Sequence, residues 1–218
     1  MVQPLFRHVI GKAAHINFVA VGDGKKYIQV CNMTNKKNPA IKIFFAHSAG
    51  PQYGPGKGSY DLVKYLKAEL PPTFRVLFPT IEKPDDPAYA KFKKMFRSTF
   101  AAIKEPVILV GHSLGASTLL KYLSEEKQAL SILGLFLVST PHWKSNMAEF
   151  QLNKNFQALL TTIPKIFLYH SKGDKDVPIE HLEFYEAAFK NAVVRKLNGH
   201  EHIFSKGLPE LVADIKSL

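Results

Sequence analysis

A single cysteine, Cys31, in 218 residues excludes an intrachain disulfide and argues against a cysteine-based metal site. No apolar stretch approaches the roughly eighteen residues of a membrane-crossing helix. Arg7, His8 and Lys12 interrupt the apolar residues of the first dozen positions. They leave no secretory hydrophobic segment, so a cytoplasmic location is the simplest expectation. Low-complexity tracts, internal repeats and linker-like composition are also missing, and one domain over residues 1–218 is expected. Acidic residues are in short supply, 18 against 29 lysines and arginines, for a net charge of +11. Such a charge attracts anions in general without identifying a partner. Its densest cluster, Lys91, Lys93, Lys94 and Arg97, shares helical spacing with Phe92, Met95, Phe96, Phe100 and Ile103. That pattern describes the solvated side of an amphipathic helix. With no recognised motif and no basic-aromatic stripe, no specific nucleic-acid partner is expected.

What is present is enough for a substantial core, with 46% hydrophobic and 11% aromatic residues. Residues 16–21 and 27–31 read as strands around a turn-rich Gly22–Lys26, predicting an N-terminal β-hairpin. From Ile41 onward, apolar strands alternate with amphipathic helices. Strands are predicted at 41–46, 74–78, 107–110, 132–138, 166–169 and 193–197, and helices at 59–70, 87–104, after 113, around 178–191 and 208–217. Alternation of this kind implies an α/β fold, a mostly parallel sheet with helices on both faces. The strands are nearly continuous apolar runs, in agreement with burial on both sides. Ligands bind such sheets beyond the carboxyl ends of the strands, where the loops after Ala46, Val110, Tyr169 and Leu197 emerge.

The most specific run in the chain stands at one of those ends. Gly111-His112-Ser113-Leu114-Gly115 follows an apolar strand and opens a helical pattern, the context in which G-x-S-x-G forms a nucleophile elbow. A tight strand-to-helix turn drives the central residue into a strained conformation and presents its hydroxyl, while the flanking glycines leave room. The Leu114 N–H, at a helix N-terminus, can donate to an oxyanion during acyl transfer. A serine hydroxyl still needs a base, and the base an orienting acid. Of nine histidines, His200 is the first choice because Asn198-Gly199-His200 follows a strand, with His202 its close rival. Asp174 and Asp176, the only aspartates between Ser113 and His200, are the acid candidates. The loop at 50–58 fails the phosphate-binding P-loop pattern, having Pro51 and, after Gly56-Lys57, a glycine where Ser or Thr is required.

These motifs together resemble the α/β-hydrolase superfamily of serine hydrolases over nearly the full chain, in the order serine, acid, histidine. The resemblance implies an α/β-hydrolase fold. Asp174-Lys175-Asp176-Val177-Pro178 is similar to the superfamily's D-x-x-V-P acid loop, which selects Asp174, and Gly199-His200 is similar to its G-H signature, which favours His200. His47-Ser48-Ala49-Gly50 stands where relatives carry H-G or H-G-G. This implies a second oxyanion donor at the Ala49 N–H, with Ser48 as the alternative and a structural role for His47. The lid that relatives often insert after the strand that here ends near Val138 is reduced to a minimal segment, 139–164, and the cleft is expected to be open. His47, Ser48, Tyr53, His112, His142 and Trp143 are candidates for its wall, with Met147 and Phe150 beside them. The expected activity is hydrolysis of a small-molecule ester or thioester through an acyl-enzyme on Ser113, with no cofactor and no metal. A catalytically silent binding protein of the same fold is the alternative. Oligomeric state is left open, a monomer being acceptable at this size.

Overall fold

The computed structural model describes the backbone of residues 16–20 and 26–30, and residues 39–218 except 128 and 144, without the side chains of 145 and 146. Residues Met1–Asn38 and Pro39–Leu218 are separate compact units. In the first, strand β1 (Ile16–Ala20) pairs antiparallel with β2 (Lys26–Val30). Most of the expected Gly22–Lys26 turn lies outside the described residues, as does Cys31.

The larger unit is built on six strands: β3 (Ile41–Ala46), β4 (Phe74–Leu77), β5 (Val107–His112), β6 (Ile132–Val138), β7 (Ile166–Ser171) and β8 (Val193–Leu197). All neighbours pair parallel, in the order β4-β3-β5-β6-β7-β8. Side chains alternate between two cores. Phe44, Ala46, Val107, Leu109, Leu135, Leu137 and Leu168 pack with helices α2 (Tyr89–Ala101), α3 (Leu114–Glu125) and α4 (Glu180–Ala188). Ile43, Phe45, Ile108, Val110, Phe136, Val138, Phe167 and Tyr169 pack with α1 (Tyr60–Glu69) and α5 (Pro209–Lys216). With both faces covered, strand positions of either parity have to be apolar, which explains the unbroken runs in the sequence.

Local rules set the ends. Leu70 is extended at φ −84°, ψ 136°, as the residue before Pro71 must be, and α1 stops there. Strand β8 lies at the sheet edge and carries Arg195 and Lys196, charges that discourage pairing with another chain. Asp214 of α5 accepts from the Tyr169 hydroxyl at 2.7 Å and from Arg195 at 2.7 Å, tying α5 to the strands whose loops carry the acid and histidine candidates. The basic face of α2 is largely neutralised. Lys93 and Arg97 pair with Glu126 at 2.8 and 2.6 Å, and Lys91 pairs with Asp86 at 3.1 Å. The 139–164 segment contains two short 3-10 turns, Ser145–Phe150 and Ala158–Leu160. None of the described helices is long and apolar enough to cross a membrane.

Candidate active site

Strand β5 runs two residues further than the apolar pattern predicts, because Gly111 and His112 stay in register with Leu137 and Val138. The chain then reverses at Ser113, at φ 52° and ψ −124°, a conformation that L-residues rarely adopt. Its backbone N–H is held by the Val138 carbonyl at 2.8 Å. The two flanking glycines are required sterically. A Cβ at Gly111 would stand 2.5 Å from the Ala116 Cα, and one at Gly115 would overlap the carbonyl oxygens of Ala46 and His47. The start of α3 therefore lies directly against the loop that follows β3.

The Ser113 hydroxyl meets an imidazole, and it is that of His202. Ser113 Oγ lies 3.1 Å from His202 Nε2, and His202 Nδ1 lies 2.7 Å from Asp174 Oδ2. The expectation for His200 is thus corrected. His200 is exposed, its Nδ1 3.2 Å from the Gly173 carbonyl oxygen, over space that a Cβ at Gly173 would fill. The loop from β8 turns at Gly199, at φ 109°, and needs two more residues to reach the elbow. There the Ser171 hydroxyl donates to the Glu201 carbonyl at 2.6 Å and the ring N–H of His112 donates to the His202 carbonyl at 2.7 Å. Phe204, 3% exposed, then returns the chain to the core.

Asp174 stands where the acid loop places it. Its Oδ1 accepts the backbone N–H groups of Asp176 at 3.0 Å and Val177 at 2.9 Å, leaving Oδ2 for His202. Burial alone would raise its pKa, but the bonds from His202 and Val177 outweigh that and hold the carboxyl below its usual range. Asp174, Asp176 and His202 also bring three possible metal-ligand atoms within 4.8 Å. Both Asp174 oxygens already accept N–H donors, a state that suits an imidazole partner better than a cation.

Of the amides after β3, Ser48 N–H donates to Ser59 Oγ at 3.0 Å and Gly50 N–H to the Pro84 carbonyl at 3.2 Å. Ala49 N–H has no partner among the described residues, whereas the N–H of Ser48, the alternative donor, is committed to Ser59. His47 is fully buried and donates from Nε2 to the Gly50 carbonyl at 2.9 Å. Tyr53 is 56% exposed, its hydroxyl 3.0 Å from Thr80 Oγ1. His142 stacks on Phe184 with ring centroids 3.5 Å apart. Trp143 donates its indole N–H at 2.8 Å to Ser117 Oγ, which in turn donates to the Leu114 carbonyl. The 139–164 segment is thereby fastened to the first turn of α3. Ser59 and Ser171 escaped the sequence reading, since an isolated serine carries no pattern.

His47, His112 and His170 are buried, and burial lowers the pKa of each, for His112 to about 3. Each therefore holds a proton less readily in the folded chain than in the unfolded one, where imidazoles titrate near 6.5. The contribution of these imidazoles to stability is therefore full above pH 6.5 and falls as the pH drops below that value, by up to roughly 5 kcal/mol from His112 alone once pH 3 is reached. Calorimetric Tm should begin to decline near pH 6.5, well before carboxylates titrate. A constant Tm between pH 7 and 4.5 would refute the neutral buried imidazoles.

The sequence model of a family described as serine hydrolase matches residues 63–207. No curated protein matches the chain in sequence. Among solved structures, the ydeN gene product of B. subtilis is similar at TM-score 0.65 and 17% identity, over 83% of this chain and 98% of that one. An esterase domain from a Rhodothermus marinus protein matches at TM-score 0.59 and 16% identity, over 93% and 94%. XC6422 from Xanthomonas campestris, described as an a/b serine hydrolase without lid, matches at TM-score 0.53 and 11% identity, over 97% and 95%. At these identities the structures establish the α/β-hydrolase fold.

Proposed function

The chain belongs to the serine hydrolase family, and we propose that it cleaves a small-molecule carboxylic ester or thioester through an acyl-enzyme on Ser113. The observation that carries this reading is the unbroken line Ser113 Oγ, His202, Asp174 at 3.1 and 2.7 Å, ending on a strained elbow. His202 Nε2 takes the hydroxyl proton as Oγ bonds to the carbonyl carbon. Asp174 accepts from Nδ1, fixes the tautomer and stabilises the imidazolium. The N–H groups of Leu114 and Ala49 receive the oxyanion, each such donor being worth roughly 3 kcal/mol of barrier. Collapse breaks the bond to the alkoxide or thiolate, which leaves with the proton from His202. Water, deprotonated by the same nitrogen, then releases the acid and restores Ser113. The 139–164 segment is too short for a large cap, which favours an open cleft and modest acyl groups.

An ester and a thioester bearing the same acyl group should give one common intermediate. Acid quenching during turnover, followed by intact-mass measurement, is expected to show the same single acyl adduct from both. Failure of either substrate to acylate or turn over would remove it from the proposed range, and failure of both would favour a binding protein.

A further inference from the structure

His112 fills the variable position of the elbow and is fully buried, yet no step of the proposed reaction uses it. Its Nε2 faces the His202 carbonyl oxygen at 2.7 Å and therefore must carry the ring proton. Its Nδ1 is then a bare acceptor that only the Ser59 hydroxyl, 2.9 Å away, can supply, so in the longer 3.2 Å contact between the two serines Ser48 Oγ donates to Ser59 Oγ. Ser59 Oγ in turn accepts the Ser48 N–H at 3.0 Å, from the loop whose next amide is the proposed Ala49 oxyanion donor. Four groups thus form one directed chain, from the Ser48 amide through Ser59 and His112 to the backbone of His202.

We propose that Ser59 and His112 are positioning residues, a buried hydrogen-bond relay that holds the base loop and the oxyanion loop in register across the elbow. The proposal rests on reading Ser113, His202 and Asp174 as the reacting set. The relay grips the His202 backbone carbonyl and leaves the imidazole free to move its proton between Ser113 and the leaving group. At the other end it turns the Ser48 N–H inward, which leaves Ala49 as the amide without a protein partner. The ring of His112 also stands 5.3 Å from that of His202 and 6.2 Å from Phe204, with His47 and Asp174 close enough to act electrostatically. Burial keeps it neutral, so the direction of the chain does not reverse over the working pH range.

The test compares kcat and KM for a small ester in His112→Phe, His112→Gln and Ser59→Ala, per site titrated with a fluorophosphonate. Phenylalanine fills the space without either bond, and glutamine can return an N–H to the His202 carbonyl. Misplacement of reacting groups by about an ångström costs on the order of 100-fold. His112→Phe is therefore expected to lose ~30- to 100-fold in kcat with KM within about threefold, His112→Gln to recover most of that loss, and Ser59→Ala to lose ~10-fold. Should the phenylalanine variant fail to fold, Ser59→Ala and His112→Gln carry the comparison. Wild-type kcat in the folded variants, with only Tm lowered, overturns the relay while leaving the Ser113 reading intact. A wild-type protein that takes no fluorophosphonate removes that reading, and the relay falls with it.

Discussion

His202→Ala is expected to lower kcat by about 10⁵- to 10⁶-fold, whereas His200→Ala should change it by no more than about twofold. The two imidazoles are two residues apart and have opposite surroundings. His202 lies between Ser113 and Asp174, with its side chain 14% exposed and its backbone carbonyl pinned by His112. Without it the hydroxyl has no proton acceptor among the described residues, and the alcohol form of serine is a poor nucleophile. His200 lies at the surface against Gly173. Its loss removes one exposed hydrogen bond, within the range of ordinary surface substitutions. Steady-state kinetics on one ester settles the point. If His200→Ala proved the damaging change, the loop after β8 would have to rearrange before catalysis, and the arrangement described here would not be the reactive one.

Ser113→Ala should cost a similar factor, on the order of 10⁶, with circular dichroism and Tm close to wild type. The strained backbone at residue 113 is imposed by the reversal from β5 into α3 and by the close packing of Gly111 and Gly115, not by the hydroxyl. Removing one oxygen leaves that geometry in place. The double variant Ser113→Ala/His202→Ala should be hardly worse than either single one, because base and nucleophile act as one unit and the effects of such residues are far from additive. Residual hydrolysis would then come from binding and the oxyanion donors. Losses that multiplied in the double variant would show two independent contributions and contradict the shared proton transfer.

These expectations also show how far the residues themselves could be read. Continuous apolar runs such as Val107–Val110 and Leu135–Val138 reported a sheet covered on both sides, and alternation with helical patterns reported its parallel strands. Ser113 was legible because Gly-x-Ser-x-Gly is a steric requirement, visible in the clashes a Cβ would meet at either glycine. Asp174 was separated from Asp176 only by the resemblance of its loop to D-x-x-V-P, and the two amides that this loop supplies to one carboxylate oxygen are a local arrangement that agrees with that choice. The histidine that meets Ser113 is not the one expected, because its position depends on distant bonds, from Ser171 to Glu201 and from His112 to His202. One local signal was available: Phe204 marks where the loop re-enters the core, and the histidine nearer that point is the one brought inward. Ser59 was invisible for the same reason, since its partners are 11 and 53 residues away. The preference for the Ala49 amide over Ser48 came from the resemblance, and the Ser48 N–H bond to Ser59, invisible in the sequence, is what supports it.

The central claim is that Ser113 is made nucleophilic by His202, and the most direct measurement is reaction with a fluorophosphonate followed by intact-mass and peptide mapping. Wild-type protein is expected to take up one phosphonyl group, on Ser113, while Ser113→Ala takes up none and His202→Ala reacts at least 10³-fold more slowly. An unlabelled wild type, or a label that persists in Ser113→Ala, would contradict the account.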